Sequence, residues 1–194
     1  MGEVRSVCVY CGASGRVAKR YLDAAAAMGR GLAERRLRLV FGGGHVGLMG
    51  VMADAALAAG GEVHGVIPRH LMDRELGHGG LTRLHVVASM HERKQRMFDL
   101  ADAFVALPGG VGTLDETIEV LTWKQLGMHD KPIVLLNLDG YWDRFVELIE
   151  AVIGEGFAPP ATARLFATEP TVEAVFETLA RAPGPALAPD SARF

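Results

Sequence analysis

The sequence is short of cysteine, of basic charge and of long apolar runs, and each shortage excludes a class of protein. Two cysteines in 194 residues are too few for a structural zinc site built on thiolates. A net charge of −3 lacks the basic excess of a dedicated nucleic-acid binder. No apolar stretch approaches the ~20 residues of a membrane-spanning helix, and no signal-peptide pattern stands at the N-terminus. We therefore expect a cytoplasmic protein whose partners include neither nucleic acid nor membrane.

The two cysteines form a C-x-x-C motif that does not fit redox or metal chemistry. Redox-active pairs open a helix, whereas Cys8 lies in a strand-like pattern, where its separation from Cys11 points the two side chains to opposite faces. We interpret both as buried thiols. His91 begins an H-E-x-x-H pattern, but Gln95 stands where the second histidine is needed. No metal is predicted.

What the sequence does contain is an alternation of strand-like and helix-like segments. The predicted strands span residues 4–10, 37–41, 63–67, 84–87, 103–107, 132–138 and 165–167; the predicted helices span 19–35, a segment ending at 59, 90–101, a segment beginning near 113, 141–153 and 171–180. This alternation predicts an α/β fold, a three-layer sandwich with a mainly parallel sheet and helices on both faces. We expect one domain over residues 1–181, a functional loop at 68–82 and a flexible tail at 182–194.

The most informative stretch is residues 108–116, where a buried strand ends in glycines and a helix is predicted to begin near Thr113. N–H groups in the first turn of a helix lack backbone partners and carry partial positive charge, which suits a phosphate. Glu116 would stand beside that phosphate, so the stretch predicts a nucleotide site next to a carboxylate. The alternative is that Thr113 and Glu116 merely form a capping box for the helix.

A second glycine-rich turn, at residues 42–47, matches the G-x-G-x-x-G dinucleotide pattern incompletely. The acidic residue expected at the end of the next strand is missing, because Glu62 lies at its start. We interpret Gly43 and Gly44 as backbone contacts to a phosphate, with a tight structural turn as the alternative. The glycine-rich turns after three strands, at 11–15, 42–47 and 108–112, would all lie at the carboxyl edge of a parallel sheet, where such folds bind ligands.

These motifs resemble those of one enzyme family over residues 6–180. The residues that carry the resemblance are Gly42-Gly43-Gly44, Met90-His91-Glu92-Arg93-Lys94 and Pro108-Gly109-Gly110-Val111-Gly112-Thr113-Leu114-Asp115-Glu116. The chain resembles the LONELY GUY family of cytokinin riboside 5′-monophosphate phosphoribohydrolases, often mislabelled lysine decarboxylases. Ala13 departs from the pattern, since relatives often carry serine there.

The resemblance implies a Rossmann-like homodimer without a cofactor, which hydrolyses the N-glycosidic bond of N6-substituted AMP, or of AMP, to the free base and ribose 5-phosphate. It marks Arg93 and Glu116 as needed for turnover. The substrate contacts that we expect are Ser14, Gly43, Gly44, Glu75, Lys94, Gly109, Gly110, Val111, Gly112, Thr113, Leu114, Asp115 and Thr122. Thr122 lies on the same helical face as Asp115, although its hydroxyl could equally bond the preceding turn.

The chemistry assigns the central role to Glu116. Glycosidic cleavage passes through an oxocarbenium-like sugar, so a carboxylate can oppose the developing charge and activate water. Arg93 would either bind the phosphate or hold Glu116 in place, and both suit an arginine. The main rival hypothesis is a nucleotide-binding or carrier protein without turnover. A pyridoxal-phosphate decarboxylase is disfavoured, because no lysine lies in a recognisable Schiff-base context and Lys131 is more simply the residue that leads into the strand at 132–138.

Overall fold

A computed structural model of the chain describes residues 3–75 and 77–182, except the side chains of residues 73–75. Seven strands form one sheet in the order β4-β3-β2-β1-β5-β6-β7, and every neighbouring pair is parallel. The strands are β1 (Ser6–Tyr10), β2 (Arg38–Phe41), β3 (Val63–Pro68), β4 (Arg83–Val87), β5 (Ala103–Ala106), β6 (Ile133–Leu136) and β7 (Ala167–Glu169). The predicted α/β class is confirmed.

Seven helices in the described part of the chain cover this sheet. They are α1 (Lys19–Glu34), α2 (Leu48–Ala58), α3 (Arg69–Glu75), α4 (Met90–Leu100), α5 (Val111–Gln125), α6 (Asp143–Gly154) and α7 (Val172–Arg181), with 3-10 turns at Leu138–Gly140 and Pro160–Arg164. Among the residues described, no helix is long and apolar enough to cross a membrane.

The sheet separates two hydrophobic layers. One layer packs under α1, α2 and α7, and the other under α4, α5 and α6. Side chains alternate along a strand, so Val7 and Val9 enter the first layer while Cys8 and Tyr10 enter the second. Cys11 joins the first layer, and both thiols are free and buried. The predicted opposite orientation of the two cysteines is confirmed.

The predicted loop over residues 68–82 is wrong in its first half. Helix α3 (Arg69–Glu75) follows β3 directly and is only seven residues long. Two turns of helix after a proline give no hydrophobic period that pattern reasoning could detect. The other predicted elements fall within a few residues of the observed ones. Of the predicted tail, residues 183–194 lie outside the described part of the chain.

The order of the strands locates the binding region. Strands β1 and β5 are neighbours, but β1 leads into α1 on one face and β5 into α5 on the other. Their carboxyl ends therefore flank the topological switch point, where open α/β sheets bind ligands.

Candidate active site

Three glycine-rich turns meet at the carboxyl edge of the sheet, as predicted from the sequence. The Gly12 N–H donates to the Pro108 carbonyl at 3.2 Å, and the Leu48 N–H donates to the Gly12 carbonyl at 3.0 Å. These bonds join the turn after β1 to the turn after β5 and to the start of α2. The switch point is thus a hydrogen-bonded unit and not three independent loops.

The carbonyls of the turn that precedes α5 are all hydrogen-bonded within the protein. The Pro108 carbonyl accepts from Gly12, the Gly109 carbonyl accepts from the Tyr141 hydroxyl at 2.5 Å, and the Gly110 carbonyl accepts from Leu114 at 3.1 Å. Gly110 caps the helix without any side-chain bond to its N–H groups. The unpaired N–H groups of the first turn are therefore free to bind an anion.

The capping-box alternative for Thr113 and Glu116 is wrong. Helix α5 begins at Val111, so Thr113 is the third helical residue and Glu116 lies in the second turn. A reciprocal cap exists instead at α4, where the Ser89 hydroxyl accepts from the Glu92 N–H at 3.1 Å and the Glu92 carboxylate accepts from the Ala88 N–H at 2.7 Å. Glu116 has no capping duty and is available for chemistry.

Glu116 lines a cleft of about 330 Å³ between the turns. The cleft is lined by Val9, Tyr10, Cys11, Ala13, Gly42, Met49, Leu71, Met90, Arg93, Met97, Gly110, Gly112, Thr113 and Glu116. Its charged side chains are Arg93 and Glu116. Three methionines and Leu71 form an apolar wall. This volume lies within the range of small-molecule sites.

The carboxyl group of Glu116 titrates near neutrality. Burial raises the pKa of Glu116 from 4.5 to about 7, against the opposing effect of the positive charge of Arg93. The neighbouring Cys11 thiol has its pKa raised too, by burial and by Glu116, so it stays neutral. A carboxyl group with a pKa near 7 is suited to accept or return a proton at physiological pH.

Arg93 is buried and anchored to the ends of two strands. Its Nε donates to the Val66 carbonyl at 3.1 Å and its Nη2 to the Gly42 carbonyl at 2.7 Å. In the described part of the chain Arg93 forms no ion pair within 4 Å, so it does not bind the Glu116 carboxylate directly. It acts on Glu116 through space, because its charge opposes the rise in the pKa of that carboxyl.

The glycines at 42 and 43 serve the protein's own packing. A Cβ atom on Gly42 would lie 2.1 Å from Nη2 of Arg93. Gly43 has a φ of +75°, and a Cβ there would lie 3.2 Å from Cβ of Ile67. Gly44 is buried in the same turn. The structural alternative for this turn is therefore the one that the geometry favours, with Gly42 making room for Arg93.

Several predicted contacts lie outside the cleft. Lys94 pairs with Asp115 at 3.3 Å and with Glu119 at 2.9 Å. The Thr122 hydroxyl donates to the Ile118 carbonyl at 2.8 Å. Lys94 and Thr122 line a separate surface hollow between α4 and α5, whereas Val111 is exposed and Leu114 packs against the core. The predicted substrate contacts are thus divided between the Glu116 cleft and the outer surface of α4 and α5.

Ser14 and Gly109 line a second, apolar cavity of about 450 Å³ on the other side of the turn. Its walls include Tyr21, Leu48 and Tyr141. Glu75 ends α3, and its side chain is outside the described residues. Tyr141 was not predicted, because the bond to Gly109 spans 32 residues and no local motif indicates it. Tyr10 and Cys11 could have been found, since Tyr10 ends β1 and Cys11 follows it at the predicted binding edge.

The chain is similar to known proteins over most of its length. A family model described as "Possible lysine decarboxylase" matches residues 49–179. The chain is 53% identical over 159 residues to the cytokinin riboside 5′-monophosphate phosphoribohydrolase of Rhodococcoides fascians, covering 81% of this chain and 80% of the relative. It is 45% identical over 175 residues to an Arabidopsis thaliana enzyme of the same name, covering 90% and 77%.

Solved structures share the fold at lower identity. The molybdenum cofactor carrier protein of Chlamydomonas reinhardtii superposes with a TM-score of 0.69 at 21% identity, covering 90% of this chain and 94% of that one. The protein TM1055 superposes with a TM-score of 0.71 at 24% identity, covering 92% of this chain and 99% of that one. At these identities the likeness concerns the fold alone.

Proposed function

The chain belongs to the LONELY GUY family of cytokinin riboside 5′-monophosphate phosphoribohydrolases, and from this premise we propose that its reaction takes place in the Glu116 cleft. The enzyme hydrolyses the N-glycosidic bond of a cytokinin riboside 5′-monophosphate, an N6-substituted AMP, to the free base and ribose 5-phosphate. The observation that carries the assignment is a carboxyl group with a pKa near 7 in a cleft shared with the N-terminus of α5.

The N-terminus of α5 binds the 5′-phosphate. Its free N–H groups and partial positive charge attract the anion, and the carbonyls of the preceding turn are already bonded elsewhere. A Cβ atom on Gly110 or Gly112 would have no heavy atom of a neighbouring residue within 4 Å, so the space beside both glycines is open. The phosphate can therefore approach the backbone closely at both positions.

Glu116 promotes the attack of water on C1′ of the ribose. When the bond to the base breaks, positive charge develops at the anomeric carbon, and a carboxylate opposite it lowers the barrier. The same carboxylate accepts a proton from the attacking water, and such general-base assistance is worth roughly 10²–10⁴ in rate. The proton then passes to the departing base or to solvent.

Arg93 supplies a fixed positive charge that favours the ionised form of Glu116. Its guanidinium is bound by two strand-end carbonyls, so its position does not depend on the substrate. The apolar wall of Met49, Leu71 and Met90 suits the purine and its apolar N6 substituent. The charged side chains of the cleft thus act at the ribose, and its apolar wall contacts the base.

The description of the family model as a possible lysine decarboxylase is not supported by the lysines of this chain. None of its four lysines lines the cleft. Lys131 is buried before β6, at the amino end of the sheet, and donates to the Phe98 carbonyl at 2.7 Å. Lys94 is bound in ion pairs with Asp115 and Glu119. A Schiff base with pyridoxal phosphate would need a lysine in the cleft.

A homodimer is proposed alongside the activity. Val111 and Ile118 on α5 and Leu126, which caps its C-terminus, are large apolar side chains with exposed fractions of 82%, 47% and 68%. Such a row on one helix supports burial against a second copy of the chain. Light scattering at micromolar concentration should give twice the mass of the chain, and Ile118→Glu should return it to the monomer mass.

A substrate panel tests the proposed reaction. The protein is incubated separately with N6-isopentenyl-AMP, AMP, IMP, CMP and N6-isopentenyladenosine, and the released base is quantified by chromatography. Release from the N6-substituted monophosphate, with loss of at least about 10²-fold for the nucleoside that lacks phosphate, is expected. Binding of the nucleotides without release of any base would instead indicate a carrier protein, the rival hypothesis on the same fold.

A further inference from the structure

Three side chains from separate segments converge beside the site without lining the cleft. His45 lies in the turn after β2, Asp54 lies on α2, and His78 lies between α3 and β4. One potential metal-ligating atom from each lies within 4.8 Å of the other two. We refer to these residues as the His–Asp–His cluster. None of them belongs to the lining of the Glu116 cleft.

Hydrogen bonds define which nitrogen of His78 carries a proton. His78 is buried, and its Nδ1 accepts from the Gly80 N–H at 3.3 Å. Since Nδ1 accepts, Nε2 is the protonated nitrogen and donates to the Asp54 carboxylate at 2.8 Å. The His45 ring stands edge-on to the His78 ring with centroids 5.1 Å apart, and it is exposed. A histidine fixed by a carboxylate thus has a second, accessible histidine beside it.

We propose that the His–Asp–His cluster binds a divalent transition-metal ion of the Zn²⁺ class. Two imidazole nitrogens and one carboxylate oxygen are the donors that such ions prefer, and three protein ligands with water in the fourth position form an open tetrahedral site. Mg²⁺ and Ca²⁺ prefer oxygen ligands and are disfavoured. Coordination through Nε2 of His78 requires the other neutral tautomer, so the proton now donated to Asp54 moves to Nδ1 and the bond from the Gly80 N–H is lost.

The bound ion would stiffen the wall that carries Arg93. The backbone N–H of His78 donates to the Gly43 carbonyl at 3.4 Å, and the adjacent Gly42 carbonyl accepts from the Arg93 guanidinium. An ion held by the cluster joins this turn to α2 and to the segment before β4. The ion would stabilise the turn that binds Arg93 and would not contact the substrate. Its binding can therefore be measured without substrate.

The test measures metal binding directly on protein without a histidine tag. Co²⁺ is added and the visible absorption is recorded, because tetrahedral Co²⁺ absorbs strongly and the hydrated ion does not; Zn²⁺ affinity is measured by calorimetry. We expect one site per chain. His45→Ala and Asp54→Ala should each weaken Zn²⁺ binding by at least about tenfold.

The matched control is His70→Ala, which removes an exposed histidine of α3 that does not belong to the cluster. This variant should keep the affinity of the unmodified protein. Because His45 is exposed, His45→Ala should melt at nearly the same temperature without metal, so its lost affinity cannot be ascribed to unfolding. Binding that survives in His45→Ala, equal losses in His70→Ala, or no binding at millimolar Zn²⁺ would overturn the proposal.

Discussion

Two glycine-rich turns flank the turn after β1 at the carboxyl edge of the sheet, and they need glycine for opposite reasons. In the turn after β2, a Cβ on Gly42 would collide with the guanidinium of Arg93 at 2.1 Å. In the turn after β5, a Cβ on Gly110 or Gly112 would meet no heavy atom within 4 Å. The first turn is filled by the protein itself. The second is open, which is the property that a turn needs if it is to receive a ligand.

The difference shows how a glycine motif can be interpreted. Both turns fit a phosphate-binding pattern in the sequence, because a pattern records where side chains are missing and not what occupies the space. The neighbours of each glycine decide the question. Gly109 is intermediate, since a Cβ there would clash with the Thr113 side chain although its turn faces the cleft.

The sharpest challenge to this comparison is Gly42→Ala. The added methyl group must displace Arg93 or the strand end, which should lower the free energy of unfolding by about 1–3 kcal/mol. Displacing the charge beside Glu116 should reduce kcat by about a hundredfold. Denaturant unfolding and initial rates of base release measure the two effects. Unchanged stability and activity would mean that Arg93 does not occupy this position.

Gly112→Ala applies the same change to the open turn. The free energy of unfolding should stay within about 0.5 kcal/mol or rise slightly, because alanine favours the helix and meets no neighbour. The methyl group would crowd the phosphate, so KM for the nucleotide should rise by about tenfold, or ~1.4 kcal/mol. A large loss of stability with KM unchanged would show that this turn, like the first, is structural.

The sequence could predict how the open turn is built but not which side chain fills the turn after β2. Strand β5 and the glycines that follow it are contiguous, so one stretch contains the strand, the turn and the start of α5. The position of the Arg93 guanidinium depends on hydrogen bonds to Val66 and Gly42, which lie 27 and 51 residues away in the sequence. Both partners are backbone carbonyls, which no residue type can indicate. The same holds for the His–Asp–His cluster, whose ligands come from three separate segments.

Tyr141→Phe probes the support of the open turn and should have the smallest effect. The variant loses the hydroxyl that donates to the Gly109 carbonyl, which should cost roughly 0.5–1.5 kcal/mol of stability and raise KM a few-fold with little change in kcat. Tyr21→Phe is the matched control, because Tyr21 lines the same cavity and its hydroxyl accepts from Arg20. Equal changes in both variants would argue against a specific role for Tyr141.

Element boundaries illustrate another limit of pattern reasoning. The helix after residue 108 was expected to begin near Thr113 and begins at Val111, and this shift of two residues removes the capping-box interpretation of Glu116. Sequence periodicity locates a helix but does not define its first residue. The role of Glu116 therefore depended on the structure, although its identity was evident from the sequence.

The central claim is that Glu116 acts on the glycosidic bond of a nucleotide bound by the open turn, and Glu116→Gln tests it most directly. Base release from N6-isopentenyl-AMP and calorimetric affinity for the nucleotide are measured for both proteins between pH 5 and 9. Since burial raises the pKa of Glu116 to about 7, the carboxylate is lost as pH falls below that value, and kcat/KM of the unmodified enzyme should rise to a plateau above it. The variant should bind the nucleotide within a few-fold of the unmodified affinity and release base about 10²–10⁴ times more slowly on the plateau above pH 7, and this difference should narrow at lower pH, where the unmodified enzyme loses its carboxylate. Base release by the variant near the unmodified rate, with the same pH profile, would contradict the account.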